Sequence, residues 1–496
     1  MDPTIVPRSE HTVSRQDIDE DAKKVLTRLL WPDRNRRRPP QHQAYLVGGG
    51  VRDLMLGIRP KDFDIATSAS PRQVKKLFGN SRIIGRRFQL VHVTYGKNVI
   101  EVATFRSSGE SDQVERDGEL IRRDNVFGTP EEDALRRDLT INALFYNIAD
   151  FTVIDYVGGV EDLRAGIVRM IGDPVQSFRE DPVRILRAIR HATRLDFTIE
   201  PETDAAIESE KHELLKVNQA RLLEELYKDL CSGVSRPYFQ LLLDRGILDV
   251  LAPDLVDAIY DTPGGEDRLF DSLERLDRYH ADGEKVTHAI GLSALFSPII
   301  CPVAEKTALE EEPPHPPSAP FQAALAPVLQ NLKIYRRDEE RLWYALGAWP
   351  KLLNIFEKGA KIPKELHKRH YYPEAVEIFG LLNEPTDDLD DFLYEARSFP
   401  PPEEEAPSPR RGQRSRRGGR SRSSKSRPKK SKGAPAQRGS SPKSGSDKAG
   451  QPEKQAQRDG AVGSNSAGGN SKTAANRKRR RRRKRRTTAA RQGSDE

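Results

Sequence analysis

The chain of 496 residues is long enough for two or three domains, and its formal net charge of +8 hides a strong asymmetry. Residues 401–496 hold 29 Lys and Arg against 8 Asp and Glu, so this part carries +21 and residues 1–400 carry −13. The sequence has two widely spaced cysteines and no signal-peptide pattern, which argues against a secreted protein. No apolar run approaches the roughly 20 residues that cross a bilayer, which argues against a membrane protein. We therefore expect a cytoplasmic protein without a membrane partner.

The first predicted element is a helix close to the N-terminus. Residues 1–20 are polar and are expected to be largely extended. Residues 19–30 then carry Val25, Leu26 and Leu29 at helical spacing, which predicts an amphipathic helix.

The stretch 45–67 is predicted to form a strand, a glycine turn, a short helix and a second strand. Gly48 and Gly49 begin a run of three glycines, where the backbone can turn sharply and approach a ligand because no Cβ intrudes. The helix that follows points its unpaired N–H groups at this turn, as in phosphate sites. We therefore expect Gly48, Gly49 and Arg52 to cradle a phosphate group.

Two aspartates follow this turn. Asp62 and Asp64 are two residues apart, so on a strand both carboxylates would lie on the same face. Neighbouring carboxylates repel each other unless a cation lies between them, and oxygen ligands of this kind suit Mg²⁺. A triphosphate cradle beside a divalent-metal site is what nucleotidyl transfer requires. The simpler interpretation is a glycine turn next to a solvated acidic loop.

Residues 81–106 are predicted to form two strands joined by a turn. Glu101 interrupts an apolar run in the second strand. A buried carboxylate needs a partner, and a metal held by Asp62 and Asp64 would supply one, so Glu101 is a candidate member of the catalytic site. The alternative is a strand-edge glutamate that faces water. His92 on the neighbouring strand is interpreted as structural.

Residues 129–146 are predicted to form a helix, with Thr129 as N-cap and Pro130 in the first position. Arg137 and Asp138 interrupt its apolar stripe. A guanidinium fork matches phosphate and a carboxylate can accept hydrogen bonds from ribose hydroxyls, so the pair is compatible with a nucleotide site. The alternative is an exposed charge pair. Residues 151–174 are expected to form two strands around a glycine turn.

The sequences GGGVRDLMLG, KDFD and RRDLTINAL together resemble the head motifs of the class II nucleotidyltransferases of the DNA polymerase β superfamily. That family contains the CCA-adding tRNA nucleotidyltransferases and the bacterial poly(A) polymerases. The N-terminal sequence VPRSEHTVSRQDI and residues 83–93 resemble the poly(A) polymerases in particular. The resemblance implies that Asp138 joins the catalytic carboxylates and that Arg137 binds the incoming nucleotide.

A helix predicted over residues 177–197 is opened by Asp181 and Pro182, with Glu180 just before them and Arg184 and Arg187 following at helical spacing. It resembles the neck motif of the same family, which implies that these side chains bind the nucleotide and contact its base. A carboxylate and a guanidinium fixed on a helix offer the paired donor and acceptor that base selection requires. An N-cap acid with an i,i+3 ion pair would also explain Asp181 and Arg184.

The predicted fold is α+β, with a small mixed-sheet nucleotidyltransferase head, an all-helical neck and body that bind RNA, and a disordered basic tail. The expected division of the chain is an N-terminal segment, a catalytic head, a neck, a body and a tail: 1–30, 31–174, 175–235, 236–400 and 401–496.

The predicted function is template-independent polyadenylation of RNA 3′ ends from ATP, with two Mg²⁺ ions held by Asp62 and Asp64. RNA-decay factors are a candidate class of partner. The alternatives are CCA addition to tRNA and an inactive RNA-binding scaffold. The N-terminal segment, residues 81–93 and the basic tail argue against the first alternative, and the intact aspartates argue against the second.

Overall fold

The computed structural model describes residues 2–32, 40–85, 89–107, 115–117, 120–123, 127–310 and 315–399. The predicted disordered tail, 401–496, lies outside the described residues. The described part of the chain forms one compact unit, so the boundaries between head, neck and body remain predictions.

The head is built on a mixed sheet of eight strands in the order β1-β10-β9-β2-β3-β6-β5-β4. The strands β3 and β6 run parallel, and the other neighbouring pairs are antiparallel. Two further pairs, β7 with β8 and β11 with β12, lie outside this sheet. The strands are β1 Thr4–Val6, β2 Ala44–Val47, β3 Asp64–Thr67, β4 Ser81–Ile84, β5 Leu90–Tyr95, β6 Asn98–Thr104, β7 Glu115–Asp117, β8 Leu120–Arg123, β9 Leu144–Asn147, β10 Thr152–Asp155, β11 Ile167–Val168 and β12 Thr198–Ile199.

Four short helices accompany the sheet, and their starts follow the local sequence. They are α1 Glu20–Leu30, α2 Gly49–Met55, α3 Pro71–Leu77 and α4 Pro130–Leu135. Ser70 and Thr129 each form a capping box before a first-position proline, and the predicted N-cap at Thr129 is thereby confirmed. The amphipathic helix α1 buries Val25, Leu26 and Leu29 and packs against β2, β3 and β6.

The prediction of one helix over residues 129–146 is wrong. Helix α4 ends at Leu135, and residues 144–147 form the strand β9 between β2 and β10. Leu144, Phe145 and Tyr146 are fully buried because this strand lies within the sheet. A short apolar run fits either element, and here the sheet determines its conformation.

The rest of the chain is almost entirely helical, which confirms the α+β class. The expected second strand in residues 151–174 is preceded by an unpredicted helix, α5, and the predicted helix over 177–197 is divided at Asp181 into α6 and α7. The helices are α5 Gly159–Ala165, α6 Pro174–Glu180, α7 Val183–Leu195, α8 Pro201–Glu210, α9 Gln219–Leu230, α10 Ser235–Asp244, α11 Ile247–Leu251, α12 Pro253–Asp261, α13 Gly265–Ala281, α14 His288–Leu295, α15 Ser297–Ala308, α16 Ala319–Leu332, α17 Arg336–Glu357, α18 Lys364–His367, α19 Tyr372–Leu382 and α20 Asp387–Arg397.

Among the described residues, no single helix has the length and apolarity needed to cross a bilayer. Helices α14 and α15 reach that length and composition only as a pair, which is bent by 84°. Every residue of α14 from Ala289 to Leu295 is buried in the helical core.

Candidate active site

The glycine turn joins β2 to α2 and lies against two other parts of the predicted site. Gly48 has φ +72°, and a Cβ there would lie 3.2 Å from Arg137 Nη1. A Cβ on Gly50 would lie 3.2 Å from the carbonyl oxygen of Asp62. The absence of side chains therefore allows the loop with Asp62 and the guanidinium of Arg137 to approach the turn from two sides.

The two predicted metal ligands lie at the start of β3, in slightly different local structure from that expected. The strand begins at Asp64, and Asp62 belongs to the loop before it, so the two residues are not both on the strand. Both residues are exposed. The charge of Asp62 nevertheless acts on the Asp64 carboxyl group, which shows that the two carboxylates are close enough to interact.

Glu101 lies beside Asp64 in the sheet. β3 and β6 are parallel neighbours with Ile65 opposite Val102, and one residue earlier in the same register Asp64 faces Glu101. Side chains at matching positions of adjacent strands share a face of the sheet. His92 Nε2 lies 2.9 Å from Glu101 Oε1 across the β5–β6 ladder. Glu101 therefore has a protein partner in His92, which the sequence analysis interpreted as structural.

The carboxyl group of Asp64 is in an unfavourable environment for a negative charge. Although the residue has access to solvent, the surrounding protein desolvates its carboxylate, and this is the largest cause that raises its pKa to about 6. The charges of Glu101 and Asp62 raise the pKa further, whereas that of Arg137 lowers it. This edge of the head therefore holds more negative than positive charge.

The carboxylates of Asp62 and Asp64 fit a hard divalent cation. Among the described residues no group of three or more His, Cys, Asp and Glu side chains is arranged to enclose a metal ion. Mg²⁺ does not require such an enclosure, since it is usually bound by one or two carboxylates together with water and substrate phosphates. Asp62 and Asp64, with their mutual repulsion and exposure, match that mode of binding.

Arg137 is held firmly at the other side of the glycine turn. Its Nη2 donates to Asp133 Oδ2 at 3.0 Å, and its Nη1 donates to the carbonyl oxygen of Asn142 at 3.2 Å. The guanidinium carbon lies 5.2 Å from the centroid of the Phe145 ring. A half-buried guanidinium fixed in this way, next to Gly48 and Asp64, is suited to binding phosphate.

Asp138 is the neighbour of Arg137 in sequence but lies in a different environment. Its buried carboxylate accepts hydrogen bonds from the backbone N–H of Leu139 at 2.8 Å and from Nε of Arg187 at 2.5 Å. Burial alone would raise the pKa of Asp138, but the charges of Arg187 and other cations and the Leu139 bond together hold that pKa below its ordinary value. The structure thus pairs the predicted catalytic Asp138 with the predicted nucleotide ligand Arg187.

The prediction that Arg52 cradles phosphate is not supported by its position. Arg52 is 2% exposed and donates to Asp53 Oδ1 at 2.7 Å and to Asn142 Oδ1 at 2.5 Å. Its Nη1 also lies 3.2 Å from His191 Nδ1. The side chain turns inward because these partners compensate its charge, and the neighbouring Gly49 leaves room for it.

Sequence reasoning missed two members of this interior group, Asn142 and His191. Asn142 lies in the same RRDLTINAL motif as Asp138, and His191 follows Arg187 by one helical turn, so both had a positional signal. The His191 ring lies between Arg52 and Asn142 Nδ2, the latter at 3.1 Å. We call the buried Arg52, Asp138, Asn142 and His191, together with the partly exposed Arg187, the buried polar network. It joins the head to the neck helix α7.

The predicted base-selecting residues of the neck are brought near the head, although not as the i,i+3 ion pair. Arg184 donates to the carbonyl oxygen of Arg136 at 3.3 Å, whereas Asp181 accepts two bonds from the guanidinium of Arg221, of which the longer is 2.8 Å. Glu180 is half-buried and accepts a hydrogen bond from Gln176. Arg221, which sequence reasoning had not singled out, therefore orients Asp181.

Two parts of the chain match known protein families. Residues 44–169 match the family described as "Poly A polymerase head domain". Residues 196–259 match the family described as "Probable RNA and SrmB- binding site of polymerase A". The first match contains the glycine turn, the aspartates and Arg137.

Curated relatives extend the match beyond these two regions. The chain is 44% identical over 317 residues to poly(A) polymerase I of Salmonella typhi, covering 62% of this chain and 66% of that protein. It is 41% identical over 203 residues to the CCA-adding enzyme of Lactobacillus helveticus, covering 41% of this chain and 49% of that protein. The chain thus spans just under two thirds of the length of the poly(A) polymerase it matches.

Among solved structures, the CCA-adding enzyme of Bacillus stearothermophilus in complex with CTP has the same fold. The two chains superpose with a TM-score of 0.50 at 22% identity, over 77% of this chain and 83% of that one. At this level of identity the similarity establishes the fold and nothing finer.

Proposed function

We infer that this chain, because it belongs to the nucleotidyltransferase family that includes the bacterial poly(A) polymerases and the CCA-adding enzymes, adds adenylates from ATP to RNA 3′ ends without a template and releases pyrophosphate. The observation that carries the proposal is the excess of negative charge around Asp64, directly beside a glycine turn and a fixed arginine. A site of this composition suits a cation–triphosphate substrate.

The proposed roles follow from the positions of the side chains. Asp62 and Asp64 would hold two Mg²⁺ ions. These ions would lower the pKa of the primer 3′-hydroxyl group and neutralise charge on the triphosphate. Gly48 and Gly49 leave space for the phosphates, and Arg137 donates to their oxygens. Because Glu101 raises the pKa of Asp64 in the free protein, it increases the tendency of that site to take up a cation.

The neck would bind the base. Arg184 reaches the carbonyl oxygen of Arg136, so its guanidinium is close to the motif that contains Arg137. Asp181, oriented by Arg221, offers an acceptor, and Glu180 a second one. An acceptor facing the exocyclic amine of adenine and a donor facing its ring nitrogen would select ATP.

A second candidate function is CCA addition to tRNA, which the similarity to the Lactobacillus helveticus enzyme favours. The poly(A) polymerase match is longer in this chain, covering 62% of it against 41%. We therefore place polyadenylation first. The proposal includes RNA-decay factors as partners and the cytoplasm as the place of action, since tailing of RNA ends serves RNA turnover.

One assay separates these functions from an inactive scaffold. The full chain is incubated with Mg²⁺, one NTP at a time, and either an oligo(A) primer or tRNA that lacks its terminal CCA. Long tails with ATP alone support polyadenylation. Incorporation of CTP on tRNA would assign CCA addition instead, and no incorporation on either RNA would assign the scaffold.

A further inference from the structure

The helical body carries a basic and aromatic surface that the proposed chemistry does not use. Residues 333–371 hold ten Lys and Arg against five Asp and Glu, a net of +5, although residues 1–400 as a whole carry −13. This segment of the body is therefore basic, although residues 1–400 as a whole are acidic. We call the exposed side chains of Tyr335, Arg337, Arg341, Tyr344 and His370, together with the half-buried Tyr371, the body track.

Three aromatic rings form the distal end of the body track. Tyr344 of α17 is 51% exposed, and its ring is stacked on that of Tyr371 with 5.7 Å between centroids and 6° between planes. The His370 ring meets Tyr344 edge-on at 5.3 Å. Rings that support one another in this way remain in place while leaving a surface on which a nucleic-acid base can stack.

Basic side chains lie on the same face of α17 as Tyr344. Arg337, Arg341 and Tyr344 are at positions i, i+4 and i+7, which form one line about 10 Å long on a helix. The side chain of Arg337 is 76% exposed. Arg341 is held in place by Glu374, whose carboxylate lies 3.0 Å from its Nε, while half of the arginine remains accessible. Phosphates between stacked bases would meet these guanidinium groups.

The proximal end of the body track lies beside the neck. Tyr335 immediately precedes α17, is 44% exposed, and its hydroxyl group lies 3.5 Å from the carbonyl oxygen of Ala220. The next residue, Arg221, binds Asp181 of the proposed base site. The track therefore starts next to the residues that orient the base and runs away from them along the body.

We propose that the body track binds the single-stranded 3′ segment of the RNA primer, with bases stacked on Tyr344 and Tyr335 and phosphates at Arg337 and Arg341. The proposal rests on the proposed function, since it names where that site's RNA substrate lies. Aromatic faces alternating with cations suit unpaired bases of any sequence, because every base has a face that can stack.

The test compares two primers and two tyrosine variants of the full chain. Fluorescence anisotropy measures the binding of labelled oligo(A) of about 4 and about 16 nucleotides, lengths that bracket the site sizes of known single-strand binders. We expect Tyr344→Ala to weaken binding of the long oligo(A) about fivefold or more and to leave the short one unchanged. Tyr394→Ala, which removes a tyrosine that is 82% exposed on α20, is the matched control and should bind both normally.

The salt dependence of RNA binding distinguishes a contribution of the body track from one of the basic C-terminal segment. Phosphate contacts of residues 401–496 weaken steeply as salt rises, whereas stacking depends on it little. The loss caused by Tyr344→Ala should therefore persist at high salt, and Tyr344→Phe should restore binding. Equal binding by Tyr344→Ala and the unchanged chain at both salt concentrations would overturn the proposal.

The proposed function can fail separately. If the chain binds long oligo(A) through Tyr344 but incorporates no ATP, the polymerase assignment is lost and the body track remains. If the chain extends oligo(A) and the KM for the long primer is the same in Tyr344→Ala, the track is lost and the polymerase remains. Circular dichroism on each variant verifies that the helices are intact.

Discussion

The acidic edge, made of Asp62, Asp64 and Glu101, and the buried polar network, which contains Asp138, have opposite electrostatics. At the acidic edge the carboxylates are accessible and repel one another, and the pKa of Asp64 rises to about 6. In the buried polar network, Arg187 and the backbone N–H of Leu139 compensate the carboxylate of Asp138, and its pKa falls below the ordinary value.

The difference distinguishes carboxylates suited to catalysis from a carboxylate that stabilises the fold. A carboxylate group that lacks a cation in the protein is prepared to take one from outside, whereas a carboxylate with a full set of donors already stabilises the fold. Sequence motifs present both kinds of aspartate in the same way. The comparison predicts large losses of activity at the acidic edge and losses of stability in the network.

The largest effect is expected at Asp64. Asp64→Ala should reduce incorporation of AMP about a thousandfold or more, because removing a metal ligand removes several kcal/mol of transition-state stabilisation. A gel assay with labelled oligo(A) measures the loss, and oligo(A) binding should stay within about twofold. A variant that still extends the primer would end the distinction between the two regions.

The next effect concerns stability. Arg187→Ala leaves the buried carboxylate of Asp138 without its cation and should lower the free energy of unfolding by about 2 kcal/mol, less than for a fully buried pair because Arg187 is partly exposed. Urea unfolding measures it. In the double variant with Asp138→Asn the two losses should not add, and strict additivity would show that the pair is not coupled.

A pH titration of stability tests His191. Burial and then the charge of Arg52 hold the pKa of His191 well below 6.5, so the ring is neutral in the folded protein. The unfolded chain binds a proton near pH 6.5, and stability should therefore decrease as pH falls below that value, by at most about 1.4 kcal/mol per pH unit. His191→Phe should have a flatter profile in thermal unfolding between about pH 6.5 and 4.5.

Above about pH 7 neither state of His191 takes up a proton, so the unchanged chain and His191→Phe should there respond to pH in parallel. That range is the internal control. A profile equally steep in both proteins at low pH would assign the acid sensitivity to other groups.

The smallest effect is expected at Glu101. Glu101→Gln removes the charge that contributes most to the raised pKa of Asp64, so that pKa should fall. Because Glu101 already faces His92, the loss of incorporation should stay below about tenfold. His92→Gln, which changes the partner of Glu101 but retains the Glu101 carboxylate, is the matched control. A thousandfold loss in Glu101→Gln alone would make Glu101 an essential catalytic carboxylate.

The sequence by itself determined the features whose causes are local. The capping boxes at Ser70 and Thr129, the positive φ of Gly48 and the amphipathic helix α1 depend on residues within a few positions of one another. The same holds for the proximity of Asp62 to Asp64. Short-range hydrogen bonds and steric limits act in the same way wherever the segment is placed.

Only the tertiary structure decided which charged groups are compensated and which are not. Arg52 and Asp138 lie in the head motifs, as Arg137 does, yet they contact His191 and Arg187 of a helix about fifty residues or more away in sequence. Whether Leu144–Asn147 forms helix or strand likewise depended on the neighbouring strands β2 and β10. A charge is stabilised or left exposed by the groups that folding brings around it, and several of those groups come from distant parts of the chain.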